Sequence, residues 1–409
     1  MIHYSKGRVP RQAHVSIPEG LFEEEHGREG FAGRVSQFYR LHPPTEWTRI
    51  EGPLRPRGIN SYALDTPDRR DPQGLPLRVF YNDEAAISIS RRSETMPYCF
   101  RNADGDELHF IHKGNGLLRS DYGPLRYEEG DYILIPKGTS YQIVPDRSEN
   151  FSLIVETRGQ IEFPDRGNIG HYAPFDYGVV ETPEPEPIED DGREWELRIK
   201  RRGQTSSVFY NFCPLDVVGW KGNLTVLKLN IRDIRPLLSE GVHLPPSAHC
   251  TFQAPGVAIC TFMPRPLETD PKAARVPWYH RNIDVDEVFF VHGGSFSFSG
   301  RPTGRGAGVL TLNPQGLHHG PKRADLELAQ KEWRRDARLE GCAVNIDCFG
   351  PLEVAPEADA PEASTPSDSP AVPEAMRLPG GATRWQGKLP GVGASLNQDS
   401  KRNSRVNET

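Results

Sequence analysis

At 409 residues the chain can bury one or two cores, and its length alone favours two or three domains. Acidic and basic residues are mixed through most of the sequence, with a formal net charge of -7, which excludes the basic footprint of a nucleic-acid-binding protein. No apolar run is long enough to span a bilayer, and the first residues lack the apolar core of a signal peptide. We therefore expect a cytoplasmic protein with no nucleic-acid or membrane partner.

The abundance of chain-breaking residues, 39 glycines and 38 prolines, favours short strands over long helices. Residues 1–76 are rich in Pro and Arg and predict an N-terminal arm with a few strands around a core. From residue 77 onward, short apolar runs broken by Gly, Pro and Asp predict antiparallel strands, among them AISIS, DELHFIHKG, YILIPKG and FSLIVE. The six cysteines have no CxxC spacing, so we expect buried, reduced thiols.

A second strand-rich region follows an acidic, Pro-rich linker, PEPEPIEDDGRE, at residues 183–194. Strand patterns resume at WELRIKRRG and continue through GVAICTFMP, EVFFVHGG and AVNIDCF. One surface helix is predicted over residues 325–338, acidic at its start and basic at its end. Residues 355–409 contain almost no large apolar side chains and predict a disordered tail.

Two stretches of the chain repeat each other 180 residues apart. FRNADGDELHFIHKG at residues 100–114 aligns without a gap with HRNIDVDEVFFVHGG at residues 280–294. A second pair follows in the same order, GDYILIPKGTSYQI at residues 130–143 and GVLTLNPQGLHHGP at residues 308–321. Two separated motifs in one order indicate two copies of one β-rich unit.

The differences between the copies point to one active copy. Both copies keep a glutamate, Glu107 and Glu287, but two other positions differ, with the first copy named before the second: Phe100 and His280, Tyr141 and His319. Two imidazoles and one carboxylate form the facial triad that holds non-haem Fe(II), although three such residues also occur on any polar rim. We expect the shared histidines, His112 and His292, to be packed structural side chains.

These motifs resemble those of the cupins. The first cupin motif matches His280, Glu287 and Gly294, with Asn282 in place of a second histidine, and the second motif, Pro-x-Gly-x-x-His, matches residues 314–319. The resemblance implies an all-β bicupin, two double-stranded β-helix (jelly-roll) barrels with an N-terminal β arm and a few short helices. It implies a degenerate, metal-free cupin at residues 77–182 and a metal-binding cupin at residues 195–354.

Three blocks, WYHRN at residues 278–282, HHGP at residues 318–321 and CPLDVVGWKGN at residues 213–223, further resemble the homogentisate 1,2-dioxygenase family. The resemblance implies Fe(II) as the cofactor, with the ligands His280, Glu287 and His319. It also implies an Fe(II)-dependent dioxygenase of aromatic catabolism that inserts both atoms of O2 into homogentisate to give maleylacetoacetate. The partners would be a small aromatic acid and O2, and the protein a homo-oligomer.

The sequence departs from the family pattern near the metal ligands. Glu287 follows His280 one residue later than the family's glutamate follows its histidine, and Asp286 stands at the nearer spacing. The cupin frame and the alignment with Glu107 favour Glu287 as the ligand.

Five further residues are candidates for the substrate site. A family tyrosine that contacts the substrate corresponds to Phe296 and a family histidine to Asn313, so the substrate remains open. His243 loosely matches a family histidine proposed to handle the substrate's hydroxyl proton, with a surface-loop histidine as the alternative. Tyr279 is expected in the pocket wall or core. His318 adjoins a ligand and should point the opposite way in a strand, which favours a structural role over proton transfer.

Other functions fit the same residues. A related cupin dioxygenase could act on gentisate or another hydroxylated aromatic acid. A metal-dependent isomerase or hydrolase would use Zn or Mn, and its metal content would identify it. A non-enzymatic cupin that stores or senses a small molecule would have no need for an intact triad in one copy.

Overall fold

A computed structural model describes residues 4–146, 149–188, 191–276, 278–294 and 306–358. Most of the predicted tail lies outside these residues. The described chain contains two α-helices, Pro67–Arg70 (α1) and Arg323–Lys331 (α2), among 24 strands. The prediction of an all-β protein with a few short helices is confirmed. None of the helices in the described ranges is long and apolar enough to cross a membrane.

The strands fall into two sets, one on each side of the predicted linker. The first set is β1 Phe22–Glu29, β2 Ala32–Arg40, β3 Arg57–Asn60, β4 Leu77–Tyr81, β5 Ala85–Ser90, β6 Cys99–Asn102, β7 Asp106–Lys113, β8 Gly116–Ser120, β9 Gly123–Tyr127, β10 Asp131–Ile135, β11 Ser140–Pro145 and β12 Phe151–Thr157. The second set is β13 Trp195–Arg201, β14 Gln204–Tyr210, β15 Leu227–Asn230, β16 Cys250–Ala254, β17 Val257–Phe262, β18 Arg265–Pro266, β19 Tyr279–Asn282, β20 Val285–Gly293, β21 Val309–Asn313, β22 Arg338–Leu339, β23 Cys342–Phe349 and β24 Glu353–Val354.

The first barrel is made of two sheets that face each other. Its seven-stranded sheet has the order β15-β10-β7-β12-β5-β4-β24, and its six-stranded sheet has the order β14-β13-β6-β11-β8-β9. Apolar side chains from both sheets meet between them, such as Ile111 and Ile133 from the first sheet and Phe100 and Leu118 from the second. In β5 the alternation of Ala and Ile with Ala and Ser buries every second side chain, as a strand requires.

The second barrel has the same plan. Its six-stranded sheet has the order β16-β17-β23-β20-β21-β3, and β19-β1-β2 form a three-stranded sheet. The two jelly-roll barrels thus follow the two sequence repeats, with β19, β20 and β21 in the places that β6, β7 and β10 occupy in the first barrel.

The two repeats exchange their leading strands. β1 pairs in parallel with β19 and β3 pairs with β21, so strands from the N-terminal arm complete the second barrel. In the same way β13 pairs in parallel with β6 and β15 pairs with β10 of the first barrel. Asn60 and Asn230 end the equivalent strands, and each side chain accepts a hydrogen bond from the backbone N–H two residues later, at 3.1 and 3.0 Å. Each barrel therefore depends on chain from both sides of the linker.

The two barrels meet through a common apolar core and a pair of histidines. The core includes Phe110 of the first barrel and Phe290 of the second. The Nδ1 atoms of His112 and His292 lie 2.9 Å apart, and Nε2 of His112 lies 2.8 Å from the hydroxyl of Tyr62. The shared histidines thus join the two repeats and lie apart from the candidate ligands.

These two histidines should make the protein less stable as the pH falls below about 6.5. Burial lowers the pKa of His112 well below 6.5 and that of His292 to about 4. Below 6.5 the unfolded chain takes up protons that the folded chain excludes, so the free energy of unfolding falls towards pH 4, by at most about 1.4 kcal/mol per pH unit for each histidine. Urea unfolding at pH 7, 6 and 5 measures this slope. His112→Phe should lower the slope, and an unchanged slope would contradict the assignment.

Helix α2 ends seven residues earlier than the sequence pattern predicts. The chain leaves the helix after Lys331 because the following residues make other contacts. The indole of Trp333 donates a hydrogen bond to the carbonyl of Glu268 at 3.0 Å, and Arg338–Leu339 pairs with Arg265–Pro266. All six cysteines are free thiols, in agreement with the sequence.

Candidate metal centre

Three side chains converge inside the second barrel. His280 lies on β19, Glu287 on β20, and His319 follows β21, and their ligating atoms all lie within 4.8 Å of one another. His280 and His319 each donate a backbone hydrogen bond to the other's carbonyl at 3.0 Å. This antiparallel bridge sets the two imidazoles side by side, with ring centroids 3.8 Å apart.

Main-chain carbonyls orient both imidazoles for metal binding. Nδ1 of His280 lies 3.0 Å from the carbonyl of Trp278, and Nδ1 of His319 lies 3.3 Å from that of Leu317. Since a carbonyl can only accept, each Nδ1 carries the proton and each Nε2 presents a lone pair. Both Nε2 atoms are buried without a hydrogen-bond partner in the described chain, 3.7 and 3.6 Å from Oε2 of Glu287. A divalent metal satisfies such an arrangement.

The protonation states also suit a metal. Burial by itself raises the pKa of the Glu287 carboxyl, but His319 and His280 outweigh it and hold that pKa well below its ordinary value. Burial and the neighbouring His319 lower the pKa of His280. An ionised carboxylate and a neutral imidazole, as these shifts favour for Glu287 and His280, are forms that bind metal ions.

Asn313 holds the glutamate in place. Its side-chain amide donates to Oε1 of Glu287 at 2.8 Å, which leaves Oε2 facing the two histidines. Asn313→Leu should therefore weaken the binding of a divalent metal about 10- to 100-fold, as loss of a hydrogen-bond partner to a ligand does in other metal sites. Competition with a chelator measures this affinity. An unchanged affinity in a folded variant would mean that Asn313 does not position Glu287.

Asp286, which stands at the family's spacing, is occupied elsewhere. It accepts hydrogen bonds from the backbone N–H groups of Gln315 at 2.7 Å and Leu352 at 2.8 Å. Its counterpart in the first repeat, Asp106, accepts two matching backbone hydrogen bonds at 2.7 and 2.8 Å. Asp286 therefore fastens the loop that carries the second motif, and Glu287 faces the histidines.

The equivalent place in the first barrel is satisfied without a metal. Glu107 accepts hydrogen bonds from the hydroxyl of Tyr141 at 2.7 Å and from the amide of Asn102 at 2.9 Å. Phe100 replaces the first histidine and packs edge-on against Tyr141. Over the described ranges, the group of potential ligands that lies close enough for a metal ion is the one in the second barrel. The first barrel encloses a cavity of about 580 Å³ instead.

His243 lies outside the group of three ligands. Its Nε2 accepts a hydrogen bond from Nη2 of Arg265 at 2.5 Å, and its ring meets Trp278 edge-on at 5.9 Å between centroids. Burial and Arg265 lower its pKa to about 2, so the imidazole is neutral. His243 is thus a buried side chain next to the wall of the metal centre, and its part in proton transfer stays a prediction.

The two side chains next to the ligand histidines in sequence face away from them, towards β1. Tyr279 packs edge-on against Phe22, and burial raises the pKa of its hydroxyl to about 12. Nε2 of His318 lies 3.0 Å from Oε1 of Glu24, which is fully buried. The predicted pocket residue Phe296 lies outside the described residues.

Sequence reasoning missed two residues that share this region, His249 and Arg265. Both are buried, and the rings of His249 and His243 are 5.9 Å apart between centroids. Neither belongs to a recognisable motif. One signal was present in the sequence, a single arginine shortly after the apolar run GVAICTF. An arginine next to an apolar strand is unusual because a barrel wall offers few partners for a cation.

Comparisons with known proteins find relatives among dioxygenases. The family model for the N-terminal part of homogentisate 1,2-dioxygenase matches residues 80–231. A provisionally named dioxygenase of Saccharolobus solfataricus is 32% identical over 346 residues, which cover 80% of this chain and 88% of that protein. A homogentisate 1,2-dioxygenase of Rhodopseudomonas palustris is 29% identical over 81% of this chain and 82% of its own length.

Two further similarities are more partial. A homogentisate 1,2-dioxygenase of Bradyrhizobium diazoefficiens is 28% identical over 59% of this chain, and the match spans 55% of that protein. A cupin 2 conserved barrel domain protein from Leptotrichia buccalis is 12% identical, with a TM-score of 0.33, over 72% of this chain and 96% of that chain.

Proposed function

Because the chain belongs to the homogentisate 1,2-dioxygenase family, we propose that it is an Fe(II)-dependent dioxygenase that cleaves the ring of a hydroquinone-type aromatic acid. Homogentisate, opened to maleylacetoacetate, is the substrate we propose first. The observation that carries the proposal is the pair of orphaned Nε2 atoms on His280 and His319 beside the ionised Glu287.

The chain's own residues prepare this centre. Fe(II) held by the three side chains would keep about three positions on one face open for O2 and the substrate's hydroxyl. The carbonyls of Trp278 and Leu317 fix the imidazoles, as the hydrogen bonds above describe. Phe31 packs against both His280 and Trp278, with ring centroids 4.6 and 5.9 Å away, and shields this side of the centre from water. A dry, pre-oriented ligand set is what the protein contributes to such chemistry.

A gentisate-type acid is the second candidate. Asn313 stands where the family has a histidine, and its amide is engaged with Glu287 at 2.8 Å. It therefore contacts a ligand and is not free to play the family histidine's part towards homogentisate.

We also propose a homo-oligomer in the cytoplasm, with a small aromatic acid and O2 as its partners and no nucleic acid or membrane.

Oxygen uptake tests the proposal. Anaerobically purified protein is loaded with Fe(II) and offered homogentisate and gentisate separately, with His319→Ala as the control. We expect rapid uptake with one of the acids and a ring-opened product, and none from the variant. Oxygen uptake with gentisate alone would change the proposed substrate to gentisate and leave the proposed reaction class unchanged. No uptake with either acid by iron-loaded protein, or turnover of another kind with Zn or Mn, would overturn the proposal.

A further inference from the structure

A buried guanidinium with unused donors lies beside the metal centre. Arg265 is 2% exposed, and its Nε and Nη1 atoms have no hydrogen-bond partner among the residues that the structure describes. Its Nη2 donates to His243 at 2.5 Å. A buried cation with unpaired N–H groups is costly, so an added hydrogen-bond acceptor would stabilise this place.

Other nitrogen atoms nearby are also unpaired. Nε2 of His249 and the indole nitrogen of Trp278 are buried and have no partner in the described ranges. The rings of His249 and Trp278 each lie 5.9 Å from that of His243 between centroids. Several side chains of this region thus have unpaired nitrogen atoms, and Oε1 of the buried Glu268 is unpaired as well.

Acidic and basic side chains lie around Arg265. Glu268 is the carboxylate whose charge acts on Arg265, but Glu268 also faces the buried Arg275 at 3.8 Å. Glu268 therefore interacts with two guanidinium groups, and Asp270 also acts on Arg275. His243 and His249 add no charge, because burial and Arg265 lower their pKa values to about 2 and about 3.

The first repeat provides an internal comparison. Arg92 lies shortly after β5, as Arg265 lies shortly after the equivalent strand β17. Its guanidinium donates to two main-chain carbonyls at 2.7 and 2.6 Å and to the hydroxyl of Tyr98 at 3.3 Å. Tyr98 aligns with Trp278 in the repeat. The fold can therefore satisfy a buried arginine at this place, and only the second barrel leaves one unsatisfied.

The cluster is connected to the metal centre through one aromatic side chain. Arg265 contacts His243, the ring of His243 meets Trp278, and the carbonyl of Trp278 orients the imidazole of His280. An aromatic acid has the matching shape, because its ring separates the carboxylate from the hydroxyl groups.

We propose that Arg265, with His249 and the indole N–H of Trp278, binds the carboxylate of an aromatic acid whose hydroxyl groups reach the metal centre. The planar fork of an arginine matches a carboxylate in geometry and charge. The identity of the bound acid as the substrate rests on the proposed function, whereas the anion site itself does not.

Calorimetry on the metal-free protein tests the site with phenylacetate, which cannot be oxidised there. Wild type should bind phenylacetate more tightly than the uncharged phenylacetamide. Arg265→Met should weaken phenylacetate binding about 10- to 100-fold, the value of hydrogen bonds to a charged group, and weaken phenylacetamide binding by a smaller factor. Arg92→Met is the matched control, since it removes a buried arginine of the first repeat and should not change phenylacetate binding.

Two outcomes would overturn the proposal: equal binding of phenylacetate by wild type and Arg265→Met, or an equal loss in Arg92→Met. If Arg265→Met does not fold, Arg265→Lys serves, because it keeps the charge and loses the fork. It should bind phenylacetate more weakly than wild type, and equal binding would contradict the assignment. The assay contains neither iron nor O2, so its result is independent of whether the iron-loaded protein oxidises homogentisate.

Discussion

His319→Ala is expected to abolish bound iron and, with it, all oxygen uptake. The variant loses one of three protein ligands and leaves Nε2 of His280 and Oε2 of Glu287 as a two-point site. Two protein ligands at a buried position bind Fe(II) too weakly to compete with the hydration of the ion in water. The open face that would bind O2 is lost with the metal. Iron content after anaerobic loading and desalting measures the effect, and oxygen uptake measures its consequence.

Tyr141→Phe is the matched control because Tyr141 takes the place of His319 in the first repeat. It removes one hydroxyl that donates to Glu107 at 2.7 Å. The first barrel should become less stable, while iron content stays at the wild-type level. Loss of iron in Tyr141→Phe together with its retention in His319→Ala would assign the metal to the wrong barrel.

The second prediction distinguishes the roles of two neighbouring carboxylates, Glu287 and Asp286. Glu287→Gln should lower Fe(II) affinity by more than the roughly 100-fold that an outer hydrogen-bond partner contributes, because it removes the ligand's charge. Asp286→Asn should keep the iron but lower the free energy of unfolding by about 2 to 3 kcal/mol. Asparagine has one acceptor oxygen for two backbone donors, and its NH2 group would face the second N–H.

Chelator competition and urea unfolding on both variants give the two quantities. Asp106→Asn, in the first repeat, is the control for the structural part, since Asp106 accepts the same pair of backbone hydrogen bonds. It should cost a similar free energy of unfolding and leave iron affinity unchanged. If Asp286→Asn lost iron as completely as Glu287→Gln, the aspartate would be a ligand after all.

Local patterns predicted the strands well because each short apolar run forms a strand whose apolar side chains are buried in a core or in the interior of a barrel. AISIS and FSLIVE became β5 and β12 within one residue of the predicted ends. The helix was predicted too long, since its amphipathic pattern continues into residues that instead pair with β18. Pattern alone does not show where a tertiary contact ends a helix.

The exchange of strands between the repeats was not predicted, because pairing between distant strands leaves little local trace. One signal was present. Phe38-Tyr39 followed by Pro43 recurs as Phe209-Tyr210 followed by Pro214, 171 residues later, at the ends of β2 and β14. Had it been included, the repeat would have extended back through the N-terminal arm and indicated that the arm belongs to a barrel.

The three candidate ligands were proposed from motif spacing, and the structure brings them together. Spacing worked here because a strand and a tight return loop fix where side chains point. Arg265 and His249 escaped notice for the opposite reason. Their unusual feature is the lack of partners in a packed interior, which depends on every neighbouring segment and on none of the local sequence.

Anomalous diffraction at the iron absorption edge, from crystals of anaerobically Fe(II)-loaded protein, would show where the metal binds. We expect one peak per chain, within coordination distance of Nε2 of His280, Nε2 of His319 and Oε2 of Glu287. The first barrel, around Glu107 and Tyr141, should show none. A peak in the first barrel, or no peak in the second barrel from crystals that contain iron, would contradict the assignment of the metal to His280, Glu287 and His319.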